Sequence, residues 1–215
     1  MALGRALSAA IVGVTATIVD VEANVGPGLP RIQIVGLADT AISESRDRMK
    51  TAVANSQLHW PKTKVVVSIS PASMPKAGSH FDVAMCLAML TASSTDPLVR
   101  QRLSETVLLG EVGLDGSLRP VAGVLPVLMA ARRAGLRRVI VPQGNAAEAA
   151  LIDVPVDQKL GTPRMSVLAA RSLAQIMGWV NDLVELPSAV SIAEAQGTGA
   201  SESAEVRDMA DVYGQ

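Results

Sequence analysis

Between Ser70 and Met85 the chain reads SPASMPKAGSHFDVAM, and Lys76, Ser79, His80 and Asp82 fall within seven residues where a polar loop runs into an apolar segment. A serine beside a base is the composition of an acyl-transfer site, because a hydroxyl at its free pKa is a weak nucleophile and needs a proton acceptor. Two pairings offer themselves. Ser79 with Lys76 requires a desolvated ammonium, whereas both residues lie in polar sequence in which lysine stays solvated and charged at pH 7. His80 as base, oriented by Asp82, requires neighbours in sequence to do what distant segments usually do in a triad. No oxyanion donor is identifiable for either pairing. The plainer reading of a histidine at a helix start is a capping or hydrogen-bonding residue. A metal site is not expected, since His59, His80 and Cys86 lack any ligand-like spacing.

The elements that must position this loop can be read from period and punctuation. ALSAAIVGV and ATIVDVEANV are strands, the second with period-two alternation. GPGLP interrupts the ladder and RIQIVGL resumes it. ADTAISESRDRMKTAVANSQ is a helix, capped by Asp39 or Thr40, with Ile42, Met49 and Val53 on one face and most charges on the others. Its stretch ESRDRMK reads as a salt-bridged outer face or, more sharply, as a subunit contact. KVVVSIS shows little alternation and is expected centrally in a sheet. Phe81 to Ala92 is apolar nearly all round, a core helix. TVLLGEVGLDGSLRPV is a hairpin turning at Asp115 and Gly116, and GVLPVLMAARRAG a helix with Pro126 in its first turn and Gly135 as its stop. RRVIVP is a further strand, NAAEAALI a short helix capped by Asn145, and the helix around SLAQIMGWVNDL the last ordered element. Strands interleaved with helices predict an α/β (α+β) domain with a mixed sheet.

The composition bounds what such a domain does. With 49% hydrophobic residues among 215, the chain can bury one good core and leave a tail. From Pro187 the residues turn small, polar and acidic, which predicts a domain over 1–186 and a flexible linker over 187–207. A formal charge of −1 gives no global attraction to nucleic acid or to an anionic membrane. Aromatic residues make up 2% of the chain, which removes most stacking platforms for single strands. Arg132, Arg133, Arg137 and Arg138 form the local exception. They can meet phosphates, or simply be solvated cations at a helix C-terminus. The longest apolar segment, Val83 to Ala92, has about half the ~20 residues a bilayer demands, so no membrane partner is expected. A lone Cys86 forms no internal disulfide and fits a reducing cytosol, so a cytoplasmic protein is expected.

Two segments carry a resemblance. PKAGSHFDVAMCLAML, followed by LLGEVGLDGSLRPVAGVLPVLMAARRAGLRRVIVPQGNAAEA, resembles the proteolytic domain of Lon-type ATP-dependent proteases, a fold related to the second domain of ribosomal protein S5. With GLPRIQIVGLADTAISESRDRMKTAV near the front, the chain to about Val184 is more similar still to the amino-terminal domain of magnesium-chelatase-like AAA+ ATPases of the ComM/YifB type. The resemblance implies that residues 208–215, DMADVYGQ, lead into an AAA+ module, and that ATP and Mg belong to that module. No G-x-x-x-x-G-K-[ST] pattern occurs in these 215 residues, so no cofactor is expected here. Laid over the Lon motifs, the serine position falls on His80, with Ser79 one place earlier, and the lysine position falls on Leu125. Leucine accepts no proton. The resemblance therefore implies a scaffold without its dyad: an accessory domain partnered by its own AAA+ module and by neighbouring subunits of a hexameric ring, in a family whose ComM-type members promote DNA branch migration. A Lon-type serine peptidase with a displaced dyad is the enzyme alternative, and a chelatase-like metal-insertion subunit a third.

Overall fold

The computed structural model describes residues 2–36, 39–74, 76–152 and 165–200, with the side chains of 39–43 and 197–200 excepted. A long hairpin founds the sheet. β1 (Ala2–Val12) and β2 (Thr15–Gly26) pair antiparallel along their whole length, from Ala2 opposite Val25 to Val12 opposite Thr15. Gly13 turns the hairpin at φ +60°, the left-handed value that the first position of a two-residue II′ turn takes and that glycine adopts without a Cβ clash.

On one side of the hairpin, β2 pairs antiparallel with β4 (Lys64–Ser70), and β4 pairs in parallel with β3 (Arg31–Val35), the two being joined through helix α1 (Asp39–Asn55). On the other side β1 is followed, all in parallel, by β5 (Thr106–Leu108), β8 (Arg138–Pro142) and β9 (Ser166–Ala170). The seven strands run in the order β3-β4-β2-β1-β5-β8-β9. This is the expected α/β class with a mixed sheet. A separate hairpin, β6 (Glu111–Val112) with β7 (Leu118–Arg119), turns through Leu114, Asp115 and Gly116, one residue more than the expected Asp115-Gly116 pair, and it is shorter than expected because Thr106–Leu108 joins the main sheet as β5 instead.

Helices cover the sheet on both faces, and the alternation of side chains along each strand sends apolar residues into two cores. In β8, Ile140 joins one core while Val139 and Val141 join the other. The first core takes Met49, Ala52 and Val53 of α1, nearly all of α2 (Asp82–Thr91), Val99 and Leu103 of α3 (Pro97–Ser104), and Leu173 and Ile176 of α6 (Leu173–Val180). Contact is closest where α2 crosses β1: a Cβ on Gly4 would lie 1.9 Å from the Ala88 carbonyl oxygen. The second core takes α4 (Val124–Arg133), α5 (Ala146–Ala150) and the start of α7 (Ala189–Ala200). No residue of β3 or β4 enters it. That explains why KVVVSIS, expected to be central, lies one strand from the edge and alternates: Val65, Val67 and Ile69 are buried, while Val66 and Ser68 are only half-buried.

Two helix ends follow their sequence signals. α4 stops at Gly135 (φ +71°), where the Gly135 amide donates to the Arg132 carbonyl and the Leu136 amide to that of Ala131, the paired bonds of a Schellman motif. α6 is capped by the Ser172 hydroxyl, which accepts from the Gln175 amide at 3.2 Å. Asn145 behaves otherwise. It precedes α5, yet its side-chain amide pairs with both backbone groups of Val121, accepting at 2.9 Å and donating at 2.8 Å, so it fastens a loop rather than capping a helix.

The segment after Leu186 differs from expectation. α6 is not the last element, and residues 189–200 are not linker, because Ala189 is fully buried and Ile192 packs on the second core. Small residues suit this helix: Ala-rich sequence lies close against α5, and polarity on its outer side does not prevent an apolar inner stripe. The capping side chains of Asp39 and Thr40, the side chain of Ile42, and residues 208–215 lie outside what the structure describes.

Candidate functional site

The loop from β4 to α2 brings its polar residues to different partners rather than to one another. Lys76 is buried, not solvated as its sequence context predicts: its ammonium turns back into its own loop and donates to the carbonyl oxygens of Pro71 and, at 3.2 Å, Met74. Carbonyl oxygens replace water around the charge, which is how a lysine tolerates a small loop's interior. Ser79 is half-buried, and its hydroxyl donates to the carboxylate of Glu111 at the start of β6. That carboxylate also lies 3.8 Å from the Arg119 guanidinium across the β6-β7 hairpin.

His80 is buried beside Phe81, their ring centroids 4.0 Å apart, and its Nε2 lies 3.0 Å from the carbonyl oxygen of Ala9 in β1. A protonated Nε2 donates there in the neutral imidazole. Burial holds the ring's pKa below the ordinary histidine value, and the Ala9 bond offsets this only in part. The backbone of His80 is engaged too, its carbonyl accepting from the Gly110 amide at 3.1 Å. His80 thus clamps the start of α2 to β1 and to the β5-β6 junction.

Asp82 does not orient His80. It is wholly buried in the first turn of α2, where it accepts from Arg48 Nε at 2.8 Å, from the Ser45 hydroxyl at 3.0 Å and from the Val112 amide at 3.4 Å. Burial raises the Asp82 pKa despite these donors, and the bond to Asp82 raises that of Arg48. Sequence reasoning missed Arg48 and Ser45 because ESRDRMK reads as an outer face. Arg46 and Asp47 do pair outside, at 3.1 Å, but Ser45 and Arg48, three residues apart on α1, turn inward. The available signal was Asp82 itself: a carboxylate inside an apolar helix demands a buried cation.

Leu125, in the first turn of α4, is half-buried, and its amide lies 3.4 Å from a Glu148 carboxylate oxygen. α4 belongs to the second core and α2 to the first. The arginine group divides. Arg132 and Arg133 are exposed in the last turn of α4, whereas Arg137 and Arg138 approach Glu105 at 3.9 and 3.0 Å, and Arg138 also lies 5.7 Å from the centre of the Trp179 ring. His59 is exposed and Cys86 is sealed in the core, burial pushing its thiol pKa well up. Among the described residues no three His, Cys, Asp or Glu gather as metal ligands, and no helix is long and apolar enough to cross a membrane.

The mixed sheet, its helical layers and the loop before α2 define a Lon-like α/β domain. A family model described as subunit ChlI of Mg-chelatase matches residues 21–145. An uncharacterised Mycobacterium tuberculosis protein is 40% identical over all 215 residues, which make up 39% of that protein. Competence protein ComM of Haemophilus influenzae is 31% identical over the same length, 40% of its own. A Lon protease of Mycolicibacterium smegmatis is 31% identical over 163 residues, covering 72% of this chain and 20% of the protease. The chain belongs to the Mg-chelatase ChlI family, as an amino-terminal domain of the ComM/YifB type. It spans about two-fifths of the length of the first two relatives.

Proposed function

We propose that this chain is a non-catalytic accessory domain of a ring-forming AAA+ ATPase, guiding assembly or substrate for a cytoplasmic motor that processes DNA. The observation that carries the reading is the fate of the Lon dyad positions: His80 is buried with its Nε2 held on the Ala9 carbonyl, and Leu125 has no proton to exchange. A protease scaffold whose nucleophile position has become a structural clamp supplies shape, not chemistry. On this reading ATP and Mg are bound by an AAA+ module elsewhere in a longer protein, and neighbouring subunits are the domain's partners.

The relative named a competence protein supports the DNA reading, and the part-length match to longer relatives supports the accessory role. The test uses the longer protein: ATP hydrolysis with branched or single-stranded DNA, and separately with an unfolded protein. Stimulation by DNA with the protein substrate left uncut is expected. Degradation of the unfolded protein overturns the reading.

The displaced-dyad peptidase has one observation in its favour, the Ser79 hydroxyl on the Glu111 carboxylate. Against it, Lys76 points to Pro71 and Met74. No peptide cleavage is expected from the wild type; cleavage abolished by Ser79→Ala would establish the peptidase instead.

A further inference from the structure

A second polar feature lies apart from the α2 loop. Between the start of β3, the outer side of α1 and the loop leading to β4 runs a groove of about 690 Å³, lined by Arg31, Arg46, Lys50 and Lys62 together with Trp60. All four cations are exposed, and Asp47 is the one carboxylate in the lining. Asp47 pairs with Arg46; no ion pair with another described residue engages Arg31, Lys50 or Lys62. Lys64, the register partner of Arg31, adds a further exposed cation beside the groove. In a chain of formal charge −1, this is a concentration of positive charge with few internal partners.

Arrangement matters as much as sign. Arg46 and Lys50 stand one turn apart on α1, while Arg31 and Lys62 come from the β3 and β4 sides, so cations from three elements border one channel. Trp60 is half-buried, packing on the first core while lining the groove. Spaced cations that follow a phosphate backbone, with an aromatic face for a base, are the two components of single-strand recognition. A scarcity of aromatics across the whole chain does not bear on the one position where an indole meets this charge.

We propose that this groove binds single-stranded nucleic acid, with Arg31, Arg46, Lys50 and Lys62 on successive phosphates and a base stacked on Trp60. The site stands on its own residues. It does not depend on the accessory-domain reading, since direct binding by this chain and DNA-stimulated ATPase of the longer protein succeed or fail separately.

The test is fluorescence anisotropy of a labelled oligothymidylate with the 215-residue chain, alongside its intrinsic tryptophan emission. Binding at low salt is expected, with a log–log salt slope of about −2 to −3 for three to four phosphate contacts. Trp179 is only 7% exposed, so quenching on binding reports Trp60. Lys50→Glu with Lys62→Glu, both at exposed positions that leave the cores intact, should weaken binding at least tenfold and flatten the slope. Trp60→Leu should weaken it about fivefold or more and abolish the quenching. Three results overturn the proposal: no binding at low salt; a loss produced by the charge-matched Arg132→Glu with Arg133→Glu but not by Lys50→Glu with Lys62→Glu; or equal affinity for heparin with no tryptophan quenching.

Discussion

His80 is a buried histidine whose ring ties the start of α2 to the Ala9 carbonyl of β1. Its ring is buried with a depressed pKa, so as pH falls the unfolded chain takes up this proton before the folded one. The stability that a neutral His80 supports is therefore full above the ordinary histidine value of about 6.5 and declines as pH falls from there toward the lower folded value. His80→Gln, which keeps an N–H for the Ala9 carbonyl, should flatten that decline; equilibrium urea unfolding from pH 7.5 to 5 measures it. An unchanged profile would mean that another group carries the slope. Asp82 makes the complementary case. Removing its cation in Arg48→Ala leaves a carboxylate with no counter-charge at full burial, and should destabilise the domain by about 3 kcal/mol by the same unfolding assay at pH 7. A loss under 1 kcal/mol would show that the pair contributes little.

Among the elements, the governing contact is that of α2 with the β1-β2 hairpin. α2 is apolar nearly all round because the sheet lies beneath it while α1 and the β6 hairpin close its flanks. Gly4 sets the approach distance. With the Ala88 carbonyl oxygen 1.9 Å from any Cβ, Gly4→Ala forces helix and strand apart and should cost about 1–3 kcal/mol. Thermal unfolding reads it directly, and a neutral result would place the helix further from the strand than described. The same contact holds His80, at the end of the loop, against β1, so a change that lifts α2 also disturbs the clamp on Ala9. Fold and candidate site share one set of contacts here.

At the scale of the whole molecule, the unit of stability extends past Leu186. The Ala169 amide donates to the Pro187 carbonyl at 2.9 Å, and Ala189 is buried in the second core beside α5 and β9. Ending the chain at residue 186 should therefore lower the melting temperature by several degrees relative to a chain ending at 200, at roughly 2–4 °C per kcal/mol for a domain of this size. Equal melting temperatures would restore residues 187–200 to the role of a linker. The two basic features are also a matter of the whole: the groove beside α1 belongs to the face of the first core and Arg132 and Arg133 to α4 of the second, so their charges do not add up to one surface.

Much of this was legible without coordinates. Period-two alternation in TIVDVEANV, the apolar run from Phe81 to Ala92, Gly135 as a helix stop and a turn that includes Asp115 and Gly116 are local signals, written in residues a few positions apart, and the structure follows each of them. The family was legible for the same reason, since its motifs are contiguous. What required tertiary structure was every question of partner. Lys76, Ser79, His80 and Asp82 are neighbours in the chain but bond to Pro71, Glu111, Ala9 and Arg48, and three of those lie between 32 and 71 residues away. Arg31, Lys50, Trp60 and Lys62 meet only because β3 pairs with β4 and α1 packs beside them. Sequence alone determines local backbone preference and which faces must be buried; which polar groups then share a space depends on long-range packing, and no local spacing records it.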